Sequence, residues 1–180
     1  LVYALPVLFA ITLHEAAHGY AAFLLGDPTA MSMGRVTLNP WVHIDLMGTI
    51  VVPLILYVVT AGHFLFGYAK PVPVDWRQLR QPKRDIVLVA LAGPLSNLLQ
   101  ALLWGVLLVF LQIFGINEKF FELMCQAGVL SNVVMFAFNL FPLPPLDGGR
   151  VLIGLLPRQS AMWVVRIEPY GFFIVMALVY

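Results

Sequence analysis

Charged side chains are scarce in this sequence. Asp, Glu, Lys and Arg make up 11% of its 180 residues, whereas a soluble domain carries about 25%. That shortage excludes a water-facing surface of ordinary polarity. Basic residues are not in excess either: the formal net charge is +1, so the electrostatic footprint of a nucleic-acid binder is missing. Cysteine is nearly absent. Cys125 stands alone in an apolar stretch, which excludes an intrachain disulfide and says nothing about compartment. No signal-peptide pattern is visible. The chain begins at Leu1, inside an apolar run and without a Met, so further N-terminal sequence is expected to precede it.

What the sequence does hold is apolar. Hydrophobic residues reach 61% and the mean hydropathy is +0.92. The excess is clustered: residues 46–61 and 86–96 carry almost no charge beyond their margins, and 98–116 carry none. Such runs approach the roughly 20 residues needed to cross a bilayer. They predict an all-α polytopic membrane protein, folded as one transmembrane domain over 1–180. A soluble bundle would have too little polar surface for water.

The first apolar segment, 1–25, holds H-E-A-A-H at His14 to His18, and Gly26-Asp27-Pro28 ends it, because Pro disfavours helix in the residue before it and Gly tolerates cap geometry. Residues 29–41 alternate loosely through Val36, Thr37 and Leu38, predicting a short strand or β-hairpin. A second apolar segment, 45–66, is interrupted by Gly48, Pro53 and Gly62. The prolines and charges of 66–85 forbid a long regular helix. A third segment, 86–114, contains A-G-P-L-S-N at 92–97. After a polar link, a fourth, 123–141, leads into N-L-F-P-L-P-P-L-D-G-G-R at 139–150. A helical turn or two is expected beyond Asp147. The last segment, 161–180, carries Arg166, Glu168 and Pro169, predicting a kinked helix or an interfacial piece before a short span.

Three ionisable residues inside the first apolar helix are expensive in lipid and demand a function or a partner. His14 and His18 are four apart, so a helix places both imidazoles on one face, one turn apart, within reach of a single metal. Glu15 is positioned to take a proton from a water at that metal, which is the logic of H-E-x-x-H in zinc hydrolases. The alternative is a hydrogen-bonded polar core between helices. A catalytic zinc commonly has three protein ligands, and His43, His63, Asp45 and Asp147 are candidates for the third. Asp147 is favoured. Prolines fix the chain that approaches it, and Gly148 and Gly149 permit close backbone approach. Against this, a Pro-x-Asp-Gly aspartate can simply cap a helix.

HEAAH at 14–18, AGPLSN at 92–97 and NLFPLPPLDGG at 139–149 resemble the site-2 protease family of intramembrane zinc metalloproteases. GDPTA at 26–30, LNPWVHID at 38–45 and FGYAKPVPV at 66–74 are similar to its small bacterial branch. The resemblance covers about residues 10–155. It implies a site-2 protease-like transmembrane core that binds Zn2+ through His14, His18 and Asp147, with Glu15 as catalytic general base and acid. It places Asn139 by the active site, where an amide can donate to an oxyanion; a helix–helix bond or a cap is the alternative. Gly93 and Pro94 are read as packing positions against the catalytic helix, with Asn97 bracing it or holding substrate backbone. His43 is read as a hydrogen-bonding or capping residue, and His63 as a boundary residue. The implied partners are a transmembrane protein substrate and the lipid bilayer, with no nucleic acid, and oligomeric state is left open. The link between the third and fourth segments is too short for the PDZ domain that some relatives insert, and a branch without a CBS-type domain is expected. A substrate strand is expected to add to an edge at 31–39. Two other classes fit less well. An ion-coupled transporter would not need the H-E-x-x-H order, and a zinc-binding pseudoprotease would not need Glu15.

Loop charges orient the chain. Lys70, Arg77, Arg80, Lys83 and Arg84 in 67–85, with Arg150 and Arg158 in 142–160, put both loops in the cytoplasm. A full crossing by 45–66 would then put 26–45 outside, whereas the resemblance requires 26–45 and 67–85 to share the cytoplasmic side. Both demands are met if 45–66 is a re-entrant helix kinked near Pro53 and 67–74 folds back toward the metal site.

Overall fold

A computed structural model describes residues 2–63 and 67–179. Among them no strand is present. Three helices are long and apolar enough to cross a membrane: α1 (Ala4–Leu24), α4 (Pro82–Ile113) and α5 (Lys119–Asn139). The shorter helices are α2 (Thr29–Ser32), α3 (Val52–Val59) and α6 (Asp147–Leu155), and α7 spans Arg158–Val179. This is the all-α membrane architecture that the apolar runs predict.

The packing runs opposite to that of a soluble bundle. Leu5, Leu8, Phe9, Phe23 and Leu24 of α1 are exposed, while Ala10, Ala16, Gly19 and Ala22 are buried with Thr12 and His14. Small residues inward let helices approach closely in lipid, and large apolar ones outward meet the acyl chains. At 32 residues, α4 is about 48 Å long, so it can outrun a hydrocarbon core of about 30 Å. It packs against α1, α5 and α6 and is the central strut. Pro82 opens it, and the Asp85 carboxylate accepts the Gln81 amide at 2.7 Å, an N-terminal acid that also complements the helix dipole. Gly115, at φ 66, follows its end.

The strand or hairpin expected at 29–41 does not form. Side-chain-to-backbone bonds claim this stretch instead. Asp27 accepts the Thr29 amide and hydroxyl, starting the turn Thr29–Ser32. Asn39 accepts the Trp41 amide and opens a 3-10 turn, Pro40–His43. Asx geometry of this kind competes with a ladder, and no neighbouring strand exists to reward an extended chain. The predicted edge at 31–39 for a substrate strand is therefore also missing.

The segment after it goes out and folds back on itself. Asp45 accepts the Gly48 amide at 2.7 Å and caps a π-helical stretch, Leu46–Val51, which becomes α-helical at Val52 beside Pro53. From Leu46 to Val59 the rise is about 21 Å, too short to cross. The chain turns at Thr60–His63, with Ala61 and Gly62 at φ 51 and 81; residues 64–66 of the predicted segment lie outside the described residues. It then comes back over its own outward limb: the Tyr68 amide donates to Gly48 O (3.0 Å) and the Lys70 amide to His43 O (2.9 Å). Arg35 Nη2 donates to Lys70 O (2.9 Å) and Pro71 O (3.3 Å). Both ends of the excursion meet on one face. Asp27 Oδ2 accepts the Asp75 amide at 2.7 Å, and Gln78 Nε2 donates to Thr29 Oγ1 at 3.2 Å.

The predicted break in the last segment is reduced to a proline inside one continuous helix, since α7 runs through Pro169. Glu168 of α7 pairs with Arg150 of α6, and Gly171 packs directly on the Pro144 carbonyl.

Candidate metal centre

His14 and His18 lie one turn apart in α1, as their spacing dictates. Their Nε2 atoms are 3.1 Å apart. Asp147, at the start of α6, reaches both: Oδ2 is 3.2 Å from His14 Nε2, and Oδ1 is 3.2 Å from His18 Nε2. Asp147 does not cap its helix with its side chain, so the competition between capping and converging on the imidazoles is resolved toward the latter.

Close approach is provided by glycines. A Cβ on Gly93 of α4 would collide with His18 Nε2 and sit 2.7 Å from His14 Cε1. Gly93 is thus more than a packing position between α1 and α4; its bare Cα leaves the space the imidazoles fill. A Cβ on Gly148 would strike the Leu140 carbonyl, and one on Gly149 the backbone of Pro144. Those two glycines let α6 start tight against the 140–145 loop, which brings Asp147 to α1.

The imidazole tautomers follow from their other partners. His18 Nδ1 is 2.7 Å from Val89 O. A carbonyl can only accept, so His18 Nδ1 carries the hydrogen. His14 Nδ1 is 2.6 Å from Asn97 Oδ1, while Asn97 Nδ2 donates to Ala10 O (3.1 Å) and Asn132 Oδ1 (2.9 Å). His14 Nδ1 therefore donates as well. Both Nε2 atoms are left as lone pairs, facing each other and the Asp147 carboxylate. Asp147 Oδ2 is buried without a hydrogen bond. Three electron-pair donors aimed at one point demand a cation. Zinc bonded at about 2.0–2.1 Å sets tetrahedral donors about 3.3 Å apart, close to the separations here. The donor chemistry fits zinc.

Among the described residues, His14, His18 and Asp147 are the group able to hold a metal ion. The structure does not bring the other candidates there. His43 is buried with Nε2 on Thr37 O, Asp45 is a cap, and His63 is exposed at the Thr60–His63 turn. Asn139 Nδ2 donates to Met135 O within α5 (3.0 Å). Asn97 braces α1, through His14 itself. Two contacts had no clear mark in the sequence. One is Asn132, whose only signal is a polar side chain in an apolar span. The other is the Val72 amide of the returning arm, which donates to Glu15 Oε2 at 2.8 Å.

The fold and site define a helical membrane protein with a buried two-histidine, one-carboxylate metal centre. No family model and no solved structure matches the chain. Sequence relatives do. It is 38% identical over 183 residues to "Putative zinc metalloprotease YwhC" of Bacillus subtilis, an alignment covering 97% of this chain and 78% of that protein. It is 30% identical to "Putative zinc metalloprotease Rip2" of Mycolicibacterium smegmatis, over 95% of this chain and 63% of that protein. A shorter match, 35% over 78 residues, is to "Zinc metalloprotease MJ0392" of Methanocaldococcus jannaschii. The chain belongs to this family, the small site-2 protease-like group of zinc metalloproteases.

Proposed function

We propose that the chain is an intramembrane zinc metalloprotease of the site-2 type, which hydrolyses peptide bonds in or near transmembrane segments of other membrane proteins. The observation that carries this reading is the placement of His14, His18 and Glu15 together on α1, a helix able to span a bilayer, with Asp147 of α6 converging on the two imidazoles. His14, His18 and Asp147 would hold the zinc. When bound, zinc supplies Lewis acidity and makes a water acidic enough to lose a proton near neutral pH. Asn97 and Val89 O aim the two imidazoles. Glu15 accepts the proton from the attacking water and passes it to the leaving amide nitrogen. The Val72 amide holds Glu15 Oε2, which leaves Oε1 for that exchange. Asn139 is assigned to the developing oxyanion, to which the second hydrogen of its amide, beyond the one on Met135 O, can donate. A substrate helix is internally hydrogen-bonded in lipid, so it must unwind before it is cut. The test is mass spectrometry of membrane-derived peptides from cells expressing the wild type or Glu15→Gln. Fragments ending within transmembrane segments should vanish in the variant; identical peptide sets would overturn the reading.

We place the chain as a multi-pass protein of the cell membrane with its active site nearer the cytoplasm. The basic loop 67–85 supports that orientation, and the Thr29–Gln78 contact supports a shared side for both ends of the re-entrant segment. Single cysteines at Met33 and Gln78, both exposed, in a Cys125→Ser background, should escape an impermeant maleimide in intact cells and react after permeabilisation. Labelling of Met33→Cys alone in intact cells would make 45–66 a full crossing.

A further inference from the structure

We infer that Asn132, on α5, is a positioning residue for the metal centre: acting through Asn97 on α4, it fixes the tautomer of His14 on α1. All three helices contribute one link. Asn132 Nδ2 donates to Gly128 O at 2.9 Å, Asn132 Oδ1 accepts from Asn97 Nδ2 at 2.9 Å, and Asn97 Oδ1 accepts from His14 Nδ1 at 2.6 Å. Asn97 and Asn132 are fully buried.

The direction of every bond in this chain is set at its far end. An amide side chain can turn over and exchange its donor for its acceptor. Asn132 cannot do so, because a flip would press its oxygen against the Gly128 carbonyl at hydrogen-bond distance, two acceptors with no hydrogen between them. With Asn132 fixed, its oxygen faces Asn97. Asn97 must then present its nitrogen to Asn132 and its oxygen to His14. The Ala10 carbonyl reinforces the same orientation from α1. His14 is thereby held with hydrogen on Nδ1 and a lone pair on Nε2, the form that binds a metal. In lipid no bulk water is present to satisfy a misoriented amide, so the order propagates from a helix carbonyl of α5 to the zinc ligand. Outer partners of ligating imidazoles commonly tune metal affinity by about 10–100-fold. Asn132 extends that influence one residue further out.

This inference rests on zinc at His14, His18 and Asp147, and its test separates the two. Purified wild type and variants are titrated with zinc against a competing chelator. The metal-free proteins, labelled with 15N-histidine, are read by NMR for the His14 tautomer. Asn132→Leu should weaken zinc by about 10-fold, the lower end for outer-shell partners, and mix the two His14 tautomers. Asn132→Asp should restore both. Burial keeps that carboxyl neutral, so its hydroxyl replaces the donor to Gly128 O and its carbonyl the acceptor for Asn97. A merely structural Asn132 would lower thermal stability and leave the tautomer alone. If Asn132→Leu does not fold, Asn132→Ala and Asn132→Asp carry the comparison. Unchanged affinity and a single tautomer in a folded Leu or Ala variant would overturn the role of Asn132 while leaving the zinc site standing. A wild type without zinc affinity would remove both.

Discussion

Asp147→Ala should strip the protein of zinc. Wild type is expected to carry one zinc per chain by metal analysis, and the variant to lose affinity by more than about 100-fold, beyond the range typical of outer partners. The expectation follows from geometry. Asp147 offers one oxygen to each imidazole at 3.2 Å, and without it only two neutral nitrogen donors remain, one fewer than catalytic zinc sites commonly use. The fold should survive, because the carboxylate caps nothing: α6 begins at Asp147 without a side-chain cap bond, and Gly148 and Gly149, which seat that helix, are untouched. A circular dichroism spectrum matching wild type would separate metal loss from unfolding. Full zinc occupancy with unchanged affinity would take Asp147 out of the ligand set.

Local rules made half of this site legible. An i,i+4 pair on an apolar helix can only lie on one face, so the approach of His14 and His18 follows from spacing alone. The meeting of α1 with Asp147, 133 positions after His14 by numbering, does not. No periodicity encodes so distant a contact, and the Pro-x-Asp-Gly pattern is equally good for a cap. The return of 67–74 toward the metal site, seen in the Val72–Glu15 bond, was legible because two constraints collided: the charge of 67–85 and the shared side for 26–45 that the resemblance implies. The hairpin at 29–41 was misread because alternation was weighed and side-chain caps were not; Asp27 and Asn39 each capture backbone amides that a strand would have needed. Backbone partners leave no mark in a sequence at all. Val89 O and the Val72 amide both touch the site, and any residue at those positions would bring a carbonyl, and any but proline an amide. Asn132 is different. It is a visible polar residue in an apolar span, and its partner could be named only once α4 and α5 were packed together.

Glu15→Gln should leave zinc bound and reduce turnover by about 10²–10⁴, the usual contribution of a positioned general base. The variant is well suited to the question because it preserves nearly every contact. The Val72 amide needs only an acceptor at the Oε2 position, 2.8 Å away, and the glutamine carbonyl supplies one. The arm 67–74 therefore stays seated against α1, still held by Arg35 on the Lys70 and Pro71 carbonyls. Turning the carbonyl to Val72 leaves the NH2 group where Oε1 stood, and a carboxamide NH2 can donate but cannot accept a proton. The loss thus falls on proton transfer, with metal binding and arm position intact. The measurement is single-turnover cleavage of a membrane peptide identified by the proteomic comparison, with zinc content determined on the same preparation. Unaltered zinc and a rate down by at least about 100-fold is the expected result. Near-wild-type turnover would show that some other group takes the proton. Loss of zinc would instead mean that Glu15 supports the metal and that its neighbourhood to His14 serves binding before catalysis.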